Sequence, residues 1–138
     1  MGINQRKGSA CRNPLCLYTL DLFGKRVSQE DFRSSLEDIL IRYAGFQRSG
    51  VRRPIPHESW YQVSGYFYLY GHAYAAYVMQ KLPIENQKKF RPALIDGVMF
   101  CHQPDGSFWD YPLYSYHKPY GTAFALIALS RCRSGEHG

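Results

Sequence analysis

The chain has 138 residues, enough for one domain around one ordinary core, and a hydrophobic share of 45% against 20% charged residues excludes intrinsic disorder. Its net charge of +6 is spread along the chain, with only short knots at Arg52-Arg53 and Lys88-Lys89, so no nucleic-acid interface is expected, and no stretch approaches the ~18 apolar residues of a membrane span. The basic start from Met1 to Lys7 has no apolar core behind it, and Arg6 stands where a myristoylation signal needs Ser or Thr, so a cytoplasmic chain is expected.

The first predicted element is a short helix over 13–23, with Leu15, Tyr18 and Leu22 at helical spacing and Gly24 as its stop. Ser28 and Asp31 resemble a capping box, and Phe32, Leu36, Ile39, Leu40 and Tyr43 then make one apolar stripe, which predicts an amphipathic helix ending near Gly45. Pro54 and Pro56 make 50–59 a loop. From Val63 to Leu82 an aromatic, nearly uncharged helix is expected, apolar on most of its circumference and therefore interior. Residues 85–101 set Lys88, Lys89, Arg91 and Asp96 against Phe90, Leu94, Val98 and Cys101, the pattern of a helix facing water; Pro92 requires its start to lie close before. Asp105-Gly106 marks a tight turn, an aromatic loop follows, and a second uncharged helix over 120–131 is expected to be interior.

Two features organise this alternation. Tyr70-Gly71-His72-Ala73-Tyr74-Ala75 matches Tyr120-Gly121-Thr122-Ala123-Phe124-Ala125 at an offset of 50 residues, as stacked α-hairpins would give. Aromatic residues make up 16% of the chain, twelve of them Tyr, and such rings line grooves or thicken cores. Cys11, Cys16, Cys101 and Cys132 form no C-x-x-C pair, so reduced, partly buried thiols are expected.

The run Gln103-Pro104-Asp105-Gly106-Ser107-Phe108-Trp109, followed by Tyr120-Gly121-Thr122-Ala123, resembles the repeat of the terpenoid cyclases (squalene-hopene cyclase) and the β subunits of protein prenyltransferases. The clear copy spans about 85–132; a degenerate one over about 29–82 has Gln47 and Trp60 in place of the Gln and Trp. The resemblance implies an all-α domain over 1–138 of α/α-toroid type, an incomplete ring of about five helices. It departs from the family at the chemistry, with neither an Asp-x-Asp-Asp acid motif nor an Asp-x-Cys zinc pair.

In such a fold His72 and His117 would point toward a central cavity, and Tyr70, Tyr74, Trp109, Tyr116 and Tyr120 would join His72 in lining a ligand pocket. Asp110 and His117 form the candidate catalytic pair, an acid beside a base; alternatively Asp110 caps a helix and the histidines are hydrogen-bonded within an aromatic core. No cofactor is assigned, although zinc through His117 fits the position of the family's histidine ligand. The expected function is therefore a non-catalytic or remnant module that binds an apolar, isoprenoid-like molecule, or a second chain completing the ring, through an aromatic concave face. The alternative is a terpenoid cyclase-like or prenyltransferase-like enzyme.

Overall fold

A computed structural model describes residues 9–49, 67–111 and 114–133, and for 43–49 the backbone only. The 50–59 loop and the expected helix start at Val63 lie outside the described residues, as does Trp60; so do the side chains of Tyr43 and Gln47. The described residues form five helices, α1 (Arg12–Leu22), α2 (Gln29–Ser49), α3 (Tyr68–Met79), α4 (Ile84–Met99) and α5 (His117–Arg133), and the protein is all-α as its periodicity predicts.

Local chemistry sets most of the boundaries. Gly24 takes φ 71 after α1, where Gly24 N donates to Asp21 O and Lys25 N to Leu20 O at 3.0 and 2.9 Å. That pair of bonds satisfies carbonyls the helix leaves free, and it needs a left-handed residue. At the start of α2 the capping box forms with Asp in place of Glu: Asp31 N donates to Ser28 Oγ at 3.0 Å and Ser28 N to Asp31 Oδ2 at 3.2 Å. The Ser28 hydroxyl, donating to Asp31 Oδ2 at 2.6 Å, and then the Ser28 amide hold the Asp31 carboxyl below its usual range. α2 runs on to Ser49, past the stop expected at Gly45.

Pro92 does not mark the start of α4, which begins at Ile84 on Pro83. Proline removes one backbone bond to the carbonyl four residues earlier, here Lys88, and both residues are exposed, so water satisfies the freed group. α5 likewise begins before its expected start, at His117, because Pro119 belongs in a first turn.

The helices form two layers. α3 packs against all four others, most extensively against α5 and α1, while α2 and α4 contact each other and cover the back of α3. Within the first layer contacts ascend together: Cys11 beside Gly71 and Tyr18 beside Tyr77, then Leu69 beside Gly121 and Gln80 beside Arg131. α1, α3 and α5 are therefore parallel, with α3 in the middle. The core between the layers holds Leu36, Ile39, Met79, Leu94 and Val98, each at most 1% exposed.

Glycine permits the closest approaches. A Cβ on Gly97 would lie 2.5 Å from His72 Nε2, and one on Gly121 would lie 2.8 Å from the Phe108 carbonyl oxygen. Gly71, the repeat equivalent of Gly121, is pressed less hard, 3.0 Å from Ile39 Cδ1 and 3.2 Å from Cys11 Cβ. The expectation that α5 is interior fails: Leu126 is 58% and Ile127 37% exposed, and among the described residues no further helix covers that side.

Candidate functional site

The turn motif is a docking device. Asp105 Oδ1 accepts from Ser107 N at 3.1 Å, Gly106 takes φ 83, and Gln103 Nε2 donates to Cys101 O just beyond α4. The turn returns Phe108 to α5, where Thr122 Oγ1 accepts from Phe108 N at 2.9 Å and donates to Lys118 O at 2.8 Å. The Gly-Thr pair of the repeat thus has a physical role: Gly121 admits the Phe108 carbonyl and Thr122 binds its amide. Asp105 also pairs with Lys118, whose ammonium lies over the Trp109 ring, and Trp109 Nε1 donates to Tyr114 O. Trp109 is thereby engaged with the loop on this side.

Asp110 is wholly buried and acts across the fold. Its Oδ2 accepts from Leu69 N at 3.1 Å, 41 residues away in sequence. Phe67, the residue at the N-cap of α3, offers no side-chain cap, so a distant carboxylate satisfies that helix end and faces its positive dipole. Asp110 Oδ1 lies 3.5 Å from Nδ1 of the buried His117. Burial pushes the Asp110 carboxyl upward, against the opposing pull of the Leu69 amide and His117. The same burial, with the charge of Asp110 nearby, raises the Tyr120 phenol to about 12. An aspartate holding an imidazole among apolar rings can orient that imidazole for proton transfer or simply lock the end of two helices.

The two histidines part company. His72 faces α4 and not the tyrosines expected to share its pocket: it is 1% exposed, its Nδ1 donates to Tyr68 O at 2.8 Å, and its ring lies tilted against the buried Tyr68 ring at 4.3 Å and abuts Gly97. Burial lowers it to about 4, so it is neutral at ordinary pH. Tyr68 completes this clamp, its hydroxyl donating to Gly97 O at 2.8 Å.

The other expected pocket residues form a strip. Tyr18 of α1 meets Tyr77 of α3 at 4.9 Å between ring centroids, Tyr77 meets Tyr74 at 6.1 Å, and Tyr74 meets Tyr70 at 5.0 Å. Tyr70 meets Phe124 of α5 at 5.6 Å, Phe124 meets Tyr120 at 4.8 Å, and Tyr120 meets His117 at 5.2 Å. Tyr116 closes the end, 4.8 Å from His117 and stacked on Tyr114. The strip crosses all three helices of the first layer, and its tyrosines on α1 and α3, with Phe124 and Tyr120, are half-buried. At the far end the Arg131 guanidinium lies 4.4 Å from the Tyr77 centroid.

Tyr18, Tyr77 and Phe124 are ring members on the three helices that the candidate pocket omits. Phe124 is legible as the repeat counterpart of Tyr74, whereas Tyr18 carries no sequence signal beyond its helical spacing. Among the described residues no group of three His, Cys, Asp or Glu is gathered that could hold a metal ion, so zinc at His117 would find Asp110 as its second ligand and no third. None of the four cysteines, all of them described, forms a disulfide; Cys11, Cys101 and Cys132 are buried and Cys16 is exposed. No helix among the described residues is long and apolar enough to cross a membrane. Comparison with protein-family models, curated proteins and solved structures gave no match.

Proposed function

We propose that this protein is a binding module whose aromatic face, spread over α1, α3 and α5, takes an apolar, isoprenoid-like ligand. The observation that carries the reading is the ring strip that runs unbroken from Tyr18 through Tyr77, Tyr74, Tyr70 and Phe124 to Tyr120, every member half-buried, before it ends on the buried His117 and the exposed Tyr116. Packing alone would bury such rings. A row left partly open across three parallel helices offers π faces to a chain-like or weakly cationic apolar molecule. The resemblance to the cyclase and prenyltransferase repeat agrees, since its inner helices line an isoprenoid cavity, and it makes this chain an incomplete ring of toroid type.

Native mass spectrometry of the full chain with farnesol as probe tests the reading. Tyr74→Arg, which sets a charge on a half-buried position, should abolish a farnesol adduct that wild type forms. Tyr70→Phe and Tyr120→Phe should shift affinity with little loss of stability. An equal adduct on the Tyr74→Arg protein, or none on wild type, would overturn it.

An enzymatic reading is favoured by one observation, the 3.5 Å approach of Asp110 to His117 beside Tyr120. Under it, Asp110→Asn would remove turnover of an isoprenoid substrate. Under the binding reading, the same variant leaves farnesol affinity unchanged, because Asp110 is spent on the α3 cap.

A further inference from the structure

α5 is the repeat of α3, and a face that is covered on α3 is open on α5 among the described residues. Leu69, Ala73, Ala76 and Gln80 follow one face of α3 at helical spacing. That face meets α5: Leu69 Cδ1 reaches within 2.9 Å of a Cβ placed on Gly121, and Gln80 Nε2 donates to Arg131 O at 2.9 Å. Leu69, Ala73 and Ala76 are at most 1% exposed. Their equivalents on α5, Pro119, Ala123, Leu126 and Ser130, are all exposed, Leu126 by 58%. α5 thus carries the same stripe, and none of the helices among the described residues packs on it.

The other end of the layer has the matching edge. α1 turns Cys11 toward Gly71 and Tyr18 toward Tyr77. Its opposite side presents Asn13, Cys16 and Leu20, with Cys16 exposed and Leu20 47% exposed. Along this edge, between α1 and α2, runs an open groove of about 350 Å³ lined by Asn13, Cys16, Leu17, Asp31 and Asp38 among others. Charges agree: α5 has no acidic residue and carries Arg133 in its last turn, while the groove contributes Asp31 and Asp38, the latter shared with Arg42 of α2.

We infer that the chain associates head to tail, the free edge of α5 in one copy packing on the free edge of α1 in the next as α5 packs on α3 within a chain. Because the inner helices are parallel, such a contact extends the layer in register, brings Arg133 toward the Asp31 end of the partner's groove and continues the aromatic strip across copies. A contact of two different edges closes into a ring or grows into a filament.

Sedimentation velocity on the full chain tests this with Leu126→Asp and Leu20→Asp, both at exposed positions and away from the aromatic strip. Thermal melts confirm that each variant folds. Wild type should sediment as species larger than a dimer whose size rises with concentration, and each variant alone should associate at least about tenfold more weakly. Mixed in equal amounts, the two variants should form a 1:1 dimer and nothing larger, since each retains one intact edge. A monomeric wild type would overturn the proposal, as would a Leu20→Asp protein that still pairs with itself, the mark of an α5-to-α5 contact. Loss of farnesol binding with association intact would strike the ligand reading alone.

Discussion

Replacing Gly121 with Ala sets two effects of opposite sign against each other. Alanine in a helix interior is favoured over glycine by about 1 kcal/mol, so propensity alone makes Gly121→Ala stabilising. The added Cβ would stand 2.8 Å from the Phe108 carbonyl oxygen and 2.9 Å from Leu69 Cδ1. The carbonyl is backbone, and Phe108 N is tied to Thr122 Oγ1 at 2.9 Å, so the loop retreats only by giving up that bond. Overpacking of this kind costs typically about 1–3 kcal/mol, and an obstacle unable to yield sits at the upper end. The net expectation is destabilisation by about 1–2 kcal/mol, roughly a 3–8 °C fall in melting temperature for a chain of this size. Gly71→Ala is the internal control at the equivalent position. There the nearest atom, Ile39 Cδ1 at 3.0 Å, is the tip of a flexible side chain, so clash and propensity should cancel to within about 1 kcal/mol. Circular dichroism melts of both variants decide it, and a Gly121→Ala protein that melts at or above wild type would refute the docking of the Asp105 turn on α5.

Gly97→Ala should destabilise by about 2–3 kcal/mol, because its Cβ would fall 2.5 Å from His72 Nε2 and the ring is fixed by its bond to Tyr68 O. Adding His72→Ala should recover part of that loss in a double-mutant cycle by urea unfolding, and strict additivity would contradict the contact. For Asp110, burial raises the folded-state pKa above the unfolded value, so its stabilising contribution is full below the unfolded value and lost as pH rises through the folded one. Asp110→Asn keeps an acceptor for Leu69 N without the charge and should exceed wild-type stability at neutral pH, the two converging in acid. Urea unfolding across pH checks this, and an Asn variant less stable at neutral pH would mean that the helix dipole and His117 outweigh burial.

The elements were legible where the signal is local. The Gly24 stop, the Ser28–Asp31 box and the Asp105-Gly106 turn each depend on neighbours within a few residues, and each forms as its letters imply. The repeat was also readable, because Gly71 and Gly121 both serve close approaches. Tertiary facts were not. Nothing near Asp110 in sequence says that it caps a helix 41 residues away, since the need arises from Phe67, a residue unable to cap. His72 and Tyr70 both looked cavity-facing, yet two residues on a helix differ by about 200° in direction, which sends one toward α4 and leaves the other on the strip. The apolar middle of α5 read as interior because its composition matches α3; only the packing reveals that among the described residues its outer face has no covering helix.

The central claim is that the half-buried rings across α1, α3 and α5 form a binding face while the fully buried ones are core. NMR of the full chain with labelled tyrosine rings, titrated with farnesol, tests it most directly, with Tyr68 and Tyr111, each at most 1% exposed, as internal references. The account predicts saturable shifts at Tyr18, Tyr70, Tyr74, Tyr77 and Tyr120, with Tyr68 and Tyr111 unmoved. Unchanged spectra, or shifts confined to the exposed Tyr114 and Tyr116, would contradict it.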